Sequence, residues 1–205
     1  MAGTERHPYR LALVMLDFGH LGTHMLQHIV LMNLAAPSLA LVLAGWVPTV
    51  PARLMWAATL LQMALLWAAH APPLLVASML TTWLHLAMQA ILFLSALMYW
   101  LAIIGTPPRD RWNAILSLLL TAKLFCLLGV LFVFAPRELF PVTGHSPAGA
   151  LPSAAIEDQQ LAGLLMLAAC PAAYLLAGVI VAAKWIGILA SDPKPEPAIS
   201  HDAAR

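Results

Sequence analysis

The stretch Gly19-His20-Leu21-Gly22-Thr23-His24-Met25-Leu26-Gln27-His28-Ile29-Val30-Leu31-Met32 sets three imidazoles four residues apart at the mouth of a long apolar run. At 100° per residue, each step of four advances only about 40° around a helix. His20, His24, His28 and Met32 therefore form one stripe on one helical face, with Asp17 and Gln27 beside it. Ionisable groups are costly in lipid, face protein or a wet cavity when they occur there, and mark function. The stripe is expected to face the interior of a bundle.

Composition extends that reading to the whole chain. Of 205 residues, 62% are hydrophobic and 9% charged, with a mean hydropathy of +0.86. An ordinary soluble domain is roughly a quarter charged, so this is a membrane protein. The net charge is +1 and no basic block is present, which excludes nucleic acid as a partner. Cys126 and Cys170 lie far apart in apolar segments without a Cys-x-x-Cys pattern and read as packing residues. The N-terminal MAGTERHPYR is basic, but Asp17 and His20 interrupt the apolar run behind it and no small-residue cleavage site follows, so it reads as retained. No Ser-His-Asp order, HExxH, P-loop or dinucleotide glycine motif occurs, and the protein is not expected to be an enzyme.

A spanning helix needs about 20 mostly apolar residues. Five stretches qualify, roughly 20–45, 53–69, 79–104, 112–135 and 160–183. The predicted fold class is thus all-α, a polytopic transmembrane bundle in a single domain over residues 1–190, with a polar, Pro-rich and disordered tail at 191–205. Short Pro/Gly connections join antiparallel neighbours, and one long irregular loop runs from about Pro136 to Glu157. Lys/Arg bias orients the bundle. Arg53, Arg109, Arg111, Lys184, Lys194 and Arg205 on one side outnumber Arg6, Arg10 and Arg137 on the other. The first side, with the C-terminus, is expected to be cytoplasmic, and the N-terminus outside.

On that topology His24, His28, His70, His85, His145, Asp158 and Gln159 gather on the outer side. Two imidazoles at i and i+4 can share one metal ion. Ten methionines, among them Met25, Met32, Met79, Met88 and Met166, bring thioethers near the same zone, and imidazole with thioether suits copper. Most of these methionines are filler, with Met25 and Met32 the ones to test. His7 and His201 lie in the ends of the chain and read as solvated. Lys123, near the middle of the fourth span, should be deprotonated, snorkel, or pair with Gln62 or Gln89.

HMLQHIVLM followed by AAPSL, then Trp67-Ala-Ala-His70-Ala-Pro72-Pro73, then His85 ahead of FLSALMYW, and finally EDQQLAGLLM form a pattern running from about residue 18 to 187. It resembles the CtaG-type cytochrome c oxidase assembly factors. The resemblance implies a helical protein of the bacterial plasma (inner) membrane that helps deliver copper on the outer side. It matches His24 and His28 to the two family histidines of the first helix, His70 to the Trp-x-x-His-x-Pro turn, and Asp158 with Gln159 to the acidic-amide pair. After His85, where the family tends to carry a polar, acidic or histidine-containing turn, Met88, Gln89 and Ala90 stand here. Ala162-Gly163 and Leu167 replace a paired glycine and a tryptophan, implying altered packing of the last helix.

The expected site is then one copper ion held by His24 and His28 with His70 or His85. Met25 or Met32 assists, Gln27 stands beside the stripe, and Asp158 with Gln159 orients an imidazole. Expected partners are oxidase subunits or other copper chaperones, together with the lipid bilayer. Two rivals use the same residues. A b-type cytochrome would ligate haem through histidines such as His28 and His85, and a copper permease would need ligands continuing to the cytoplasmic side, whereas His and Met concentrate on one.

Overall fold

A computed structural model describes residues 19–140 and 152–191. Its elements are α1 (His20–Val30), a π-helical turn (Leu31–Ala35), α2 (Ala36–Val42), α3 (Ala52–Ala69), α4 (Pro72–Leu80), α5 (Thr82–Ile104), α6 (Arg111–Phe134) and α7 (Pro152–Ser191). Five segments are long and apolar enough to cross a membrane: Leu21–Val42, Ala52–Ala69, Thr82–Ile104, Pro108–Phe134 and Ala155–Ser191. The all-α polytopic bundle is as expected. His145, the basic N-terminus and the tail beyond Ser191 lie outside the described residues.

Two boundaries differ from expectation. The connection between the expected spans at 53–69 and 79–104 contains α4, started by Pro72 and Pro73 in the first helical turn, where their missing N–H groups cost nothing. The extended, β-branched Thr81 separates it from α5. The last helix begins at Pro152 and not near 160, so it takes in residues assigned to the long loop. Proline again fits the first turn, and Ala, Glu and Gln behind it are good helix formers. At 40 residues α7 is about 60 Å long, roughly twice a bilayer's hydrocarbon thickness.

The bundle is apolar outside and partly polar inside. Leu41, Leu60, Trp83, Leu94, Phe134 and Val179 are exposed, while Asn33, Thr59, Gln62, Ser117 and Thr121 are buried. In lipid, interhelical hydrogen bonds and close backbone contact replace the hydrophobic effect as the force between helices. Gln62 donates to the Tyr174 hydroxyl at 2.8 Å, and Thr59 pairs with Ser117 at 2.8 Å, tying α3 to α7 and α6. Lys123 lies exposed on the outer face of α6. Its expected amide partners are engaged elsewhere, Gln62 with Tyr174 and Gln89 with Gln27.

One residue reshapes the first span. Pro37 has no N–H, so it cannot bond back to Asn33, and its ring crowds that carbonyl. The turn before it widens, with the Ala36 N–H reaching five residues back to the Leu31 carbonyl. The Met32 carbonyl thereby loses Ala36 as its donor, and its alternative five residues on is Pro37. The Trp100 indole of α5 takes that place, donating to the Met32 carbonyl at 3.1 Å. Trp100→Phe keeps most of the ring but strands a buried carbonyl. It should cost about 1–3 kcal/mol, measured as a lower unfolding midpoint in detergent with unchanged helix content.

Candidate metal centre

The first span enters the bundle under restraint from the last. The Asp158 carboxylate of α7 accepts from the Leu21 and Gly22 N–H groups, both at 2.9 Å. Free amides and the helix dipole make a helix start a natural anion site. Gly19 allows the approach, since a Cβ there would collide with the Asp158 carboxyl. Gln159 accepts from the Leu139 N–H at 2.8 Å and donates to the Phe132 and Arg137 carbonyls, closing the end of α6. Asp158 and Gln159, expected beside an imidazole, make these contacts to helix ends. Those ends carry unpaired backbone groups, which the half-buried carboxylate and the buried amide meet.

From that start, the four-residue spacing turns His24 and His28 inward, and both are 4% exposed. Their Nε2 atoms are 2.9 Å apart, with rings edge to face, so one ring donates its N–H to the lone pair of the other. His85 of α5 lies against His24 at 4.8 Å between ring centroids, and His70 at the end of α3 lies 5.6 Å from His28. The order His85, His24, His28, His70 is a continuous row of four imidazoles drawn from three spans. The side chain of His20 lies outside the described residues.

Neighbours fix the two outer rings. His70 Nδ1 is 2.7 Å from the Leu66 carbonyl, and a carbonyl can only accept, so the proton is on Nδ1 and the Nε2 lone pair is free. That lone pair faces Met25 Sδ at 3.3 Å. Burial pushes the His70 pKa down to about 4, so the ring is neutral, the form that ligates. Half-buried His85 donates from Nε2 to Gln27 Oε1 at 3.2 Å, and Gln89 donates to the same oxygen at 3.0 Å. Met32 is buried one turn below His28.

Gln89 and Asn33 are the site residues the sequence reading missed as such. Gln89 had a signal, standing four residues after His85 on the same face. Asn33 had a weaker one, a lone amide four residues before a proline in an apolar run.

Among the described residues no three His, Cys, Asp or Glu side chains converge as a ready metal cage. The rings abut in a row, and the closest donors are pairs. Two imidazole nitrogens on one tetrahedral ion at about 2.0 Å each would stand about 3.3 Å apart, so His24 and His28 need open by only a few tenths of an ångström. The donors are neutral imidazoles and thioethers, which fit a soft or borderline cation and not Mg or Ca. The four imidazoles pack directly on one another.

No curated protein and no solved structure matches the chain. The family model described as cytochrome c oxidase caa3 assembly factor (Caa3_CtaG) matches residues 13–187, a span that takes in the histidine row, the Asp158 clamp and all five membrane-crossing segments but the last few residues of the fifth. With the match extending over nearly all of its length, this multi-pass membrane protein belongs to the caa3-type cytochrome c oxidase assembly factor family.

Proposed function

We propose that the protein assists maturation of a haem-copper oxidase by holding copper as transient cargo at the histidine end of the bundle, facing the outer side of the bacterial plasma membrane. The observation that carries this reading is the buried His24–His28 pair inside a row of four imidazoles. Once the shared proton moves to the Nδ1 of its ring or leaves to water, the pair offers two nitrogens to an ion without building a rigid cage. Such a site captures a metal and can still surrender it, which suits delivery better than storage. The work is binding and transfer to oxidase subunits or to other copper chaperones, with no bond chemistry on a substrate. The Lys/Arg bias toward the opposite end supports the outward orientation.

Copper per protein, measured by mass spectrometry on the purified full-length chain, should fall to background in the His24→Ala/His28→Ala double variant. Unchanged copper content there would remove the site. Deleting the gene in its host should lower oxidase activity, with partial recovery in added copper. Activity indifferent to the deletion in every copper condition would remove the role.

A further inference from the structure

Directly below the imidazole row the bundle encloses a void of about 10 Å³, the size of one water-sized atom. Four sulfur-bearing side chains, Met25, Met32, Met166 and Cys170, line it beside Ile29, Leu66 and Phe125, and none of the four is more than 2% exposed. Asn33, His28 and His70 also line it. Methionine is a common packing residue and a tight apolar void needs no purpose, so the sulfur alone decides nothing.

Three further observations do. His28 Nδ1 and both side-chain atoms of Asn33 are buried without a hydrogen-bond partner, although buried polar groups are nearly always paired. His70 Nε2 and Met25 Sδ, each presenting a lone pair, face one another at 3.3 Å with no proton to share. With a metal–nitrogen bond of about 2.0 Å and a metal–sulfur bond of about 2.3 Å, those two atoms would subtend about 100° at a single ion. Finally, the π-helical turn buries consecutive residues, Met32 and Asn33, on the cavity side. Such π-bulges recur at functional sites.

We propose that this void is a second station for the cargo, beginning at His28 and reaching one helical turn deeper to Met32, and that it takes Cu(I). The inference rests on the copper reading above and adds to it the oxidation state and the direction of travel. Thioethers and a neutral imidazole bind without giving up a proton, so an ion in the void keeps its full charge in a dry setting. Desolvation cost grows with the square of that charge, which favours a monovalent over a divalent ion, and soft sulfur donors select Cu(I). The ion enters already as Cu(I), so no electron is transferred. His28 lines the void and also pairs with His24, so the stations touch through one ring.

The test is X-ray absorption on the purified full-length chain in detergent, loaded anaerobically with Cu(I) and separately with Cu(II). Cu(I) should show copper–sulfur scattering, and Cu(II) only nitrogen and oxygen. In a Met25→Leu/Met32→Leu/Met166→Leu variant the sulfur signal should vanish while Cu(II) uptake persists. If that variant is not monodisperse, Met166→Leu alone decides, and it should weaken Cu(I) in competition with a chelator and lower the sulfur count. Cu(II) bound with no sulfur around Cu(I), or a sulfur signal and Cu(I) affinity untouched by Met166→Leu, overturns the deeper station and leaves the imidazole site standing. No copper of either state bound overturns both.

Discussion

Gly163→Leu should abolish the folded protein. The α6 and α7 helices meet backbone to backbone at a pair of glycines, Gly129 and Gly163. A Cβ on Gly163 would stand 2.8 Å from the Phe132 Cβ and 2.9 Å from the Gly129 carbonyl oxygen. A Cβ on Gly129 would stand 3.0 Å from the Gly163 carbonyl and 3.1 Å from the Leu167 amide. Apart from the Val133 Cγ2 at 2.9 Å from a Cβ on Gly163, the blocking atoms are backbone or Cβ, which cannot swing aside, so a leucine must push two long helices apart. Small residues at such crossings are what permit tight packing in lipid, and overpacking of this kind costs about 3 kcal/mol or more. The expected result is loss of the monodisperse peak in gel filtration and a collapse of the unfolding midpoint. Gly178→Ala is the control, because its nearest neighbour, the Leu118 Cβ, is 3.9 Å away, and it should behave like the parent. A Gly163→Leu protein of parental midpoint would mean that the two helices do not pack at this point.

That contact was foreshadowed only in part. The substitution of Ala162-Gly163 and Leu167 into the last motif implied altered packing, but a sequence gives no sign of which helix a glycine will touch. The five spans were legible because length and hydropathy alone decide them. The start of α7 at Pro152 was not, since a Pro- and Gly-rich composition marks where a chain can turn and not where a helix resumes. The histidine row was legible in the same way as the spans. Four-residue spacing fixed the face of His24 and His28, and hydropathy fixed the depth of His70 and His85. The roles of Asp158 and Gln159 were not, because a carboxylate near histidines in sequence-derived topology can reach either a ring or a helix end. The π-helical turn depends on what Pro37 denies to the residues before it, and its rescue by Trp100 joins residues 68 positions apart. Nothing local in the sequence announces that pairing.

Asp158→Ala should leave a folded bundle that retains little copper. The two N–H groups that its carboxylate accepts belong to the first turn of α1, and His24 lies one turn further on. Without the carboxylate that turn loses both its hydrogen bonds and the favourable charge at the helix start, about 1–2 kcal/mol together. This is small against the whole bundle but concentrated on the segment that aims His24 at His28 and His85. The midpoint should fall modestly and copper per protein should fall strongly, with Asp158→Asn intermediate because one acceptor oxygen survives. A second variant separates this role from direct contact with an imidazole. Gly19→Ala touches no ring, yet its methyl would occupy the place of the Asp158 carboxyl. If Asp158 acts by anchoring the helix, Gly19→Ala must reproduce its copper loss. Parental copper in Gly19→Ala beside depleted copper in Asp158→Ala would return the carboxylate to the histidines and sink the clamp.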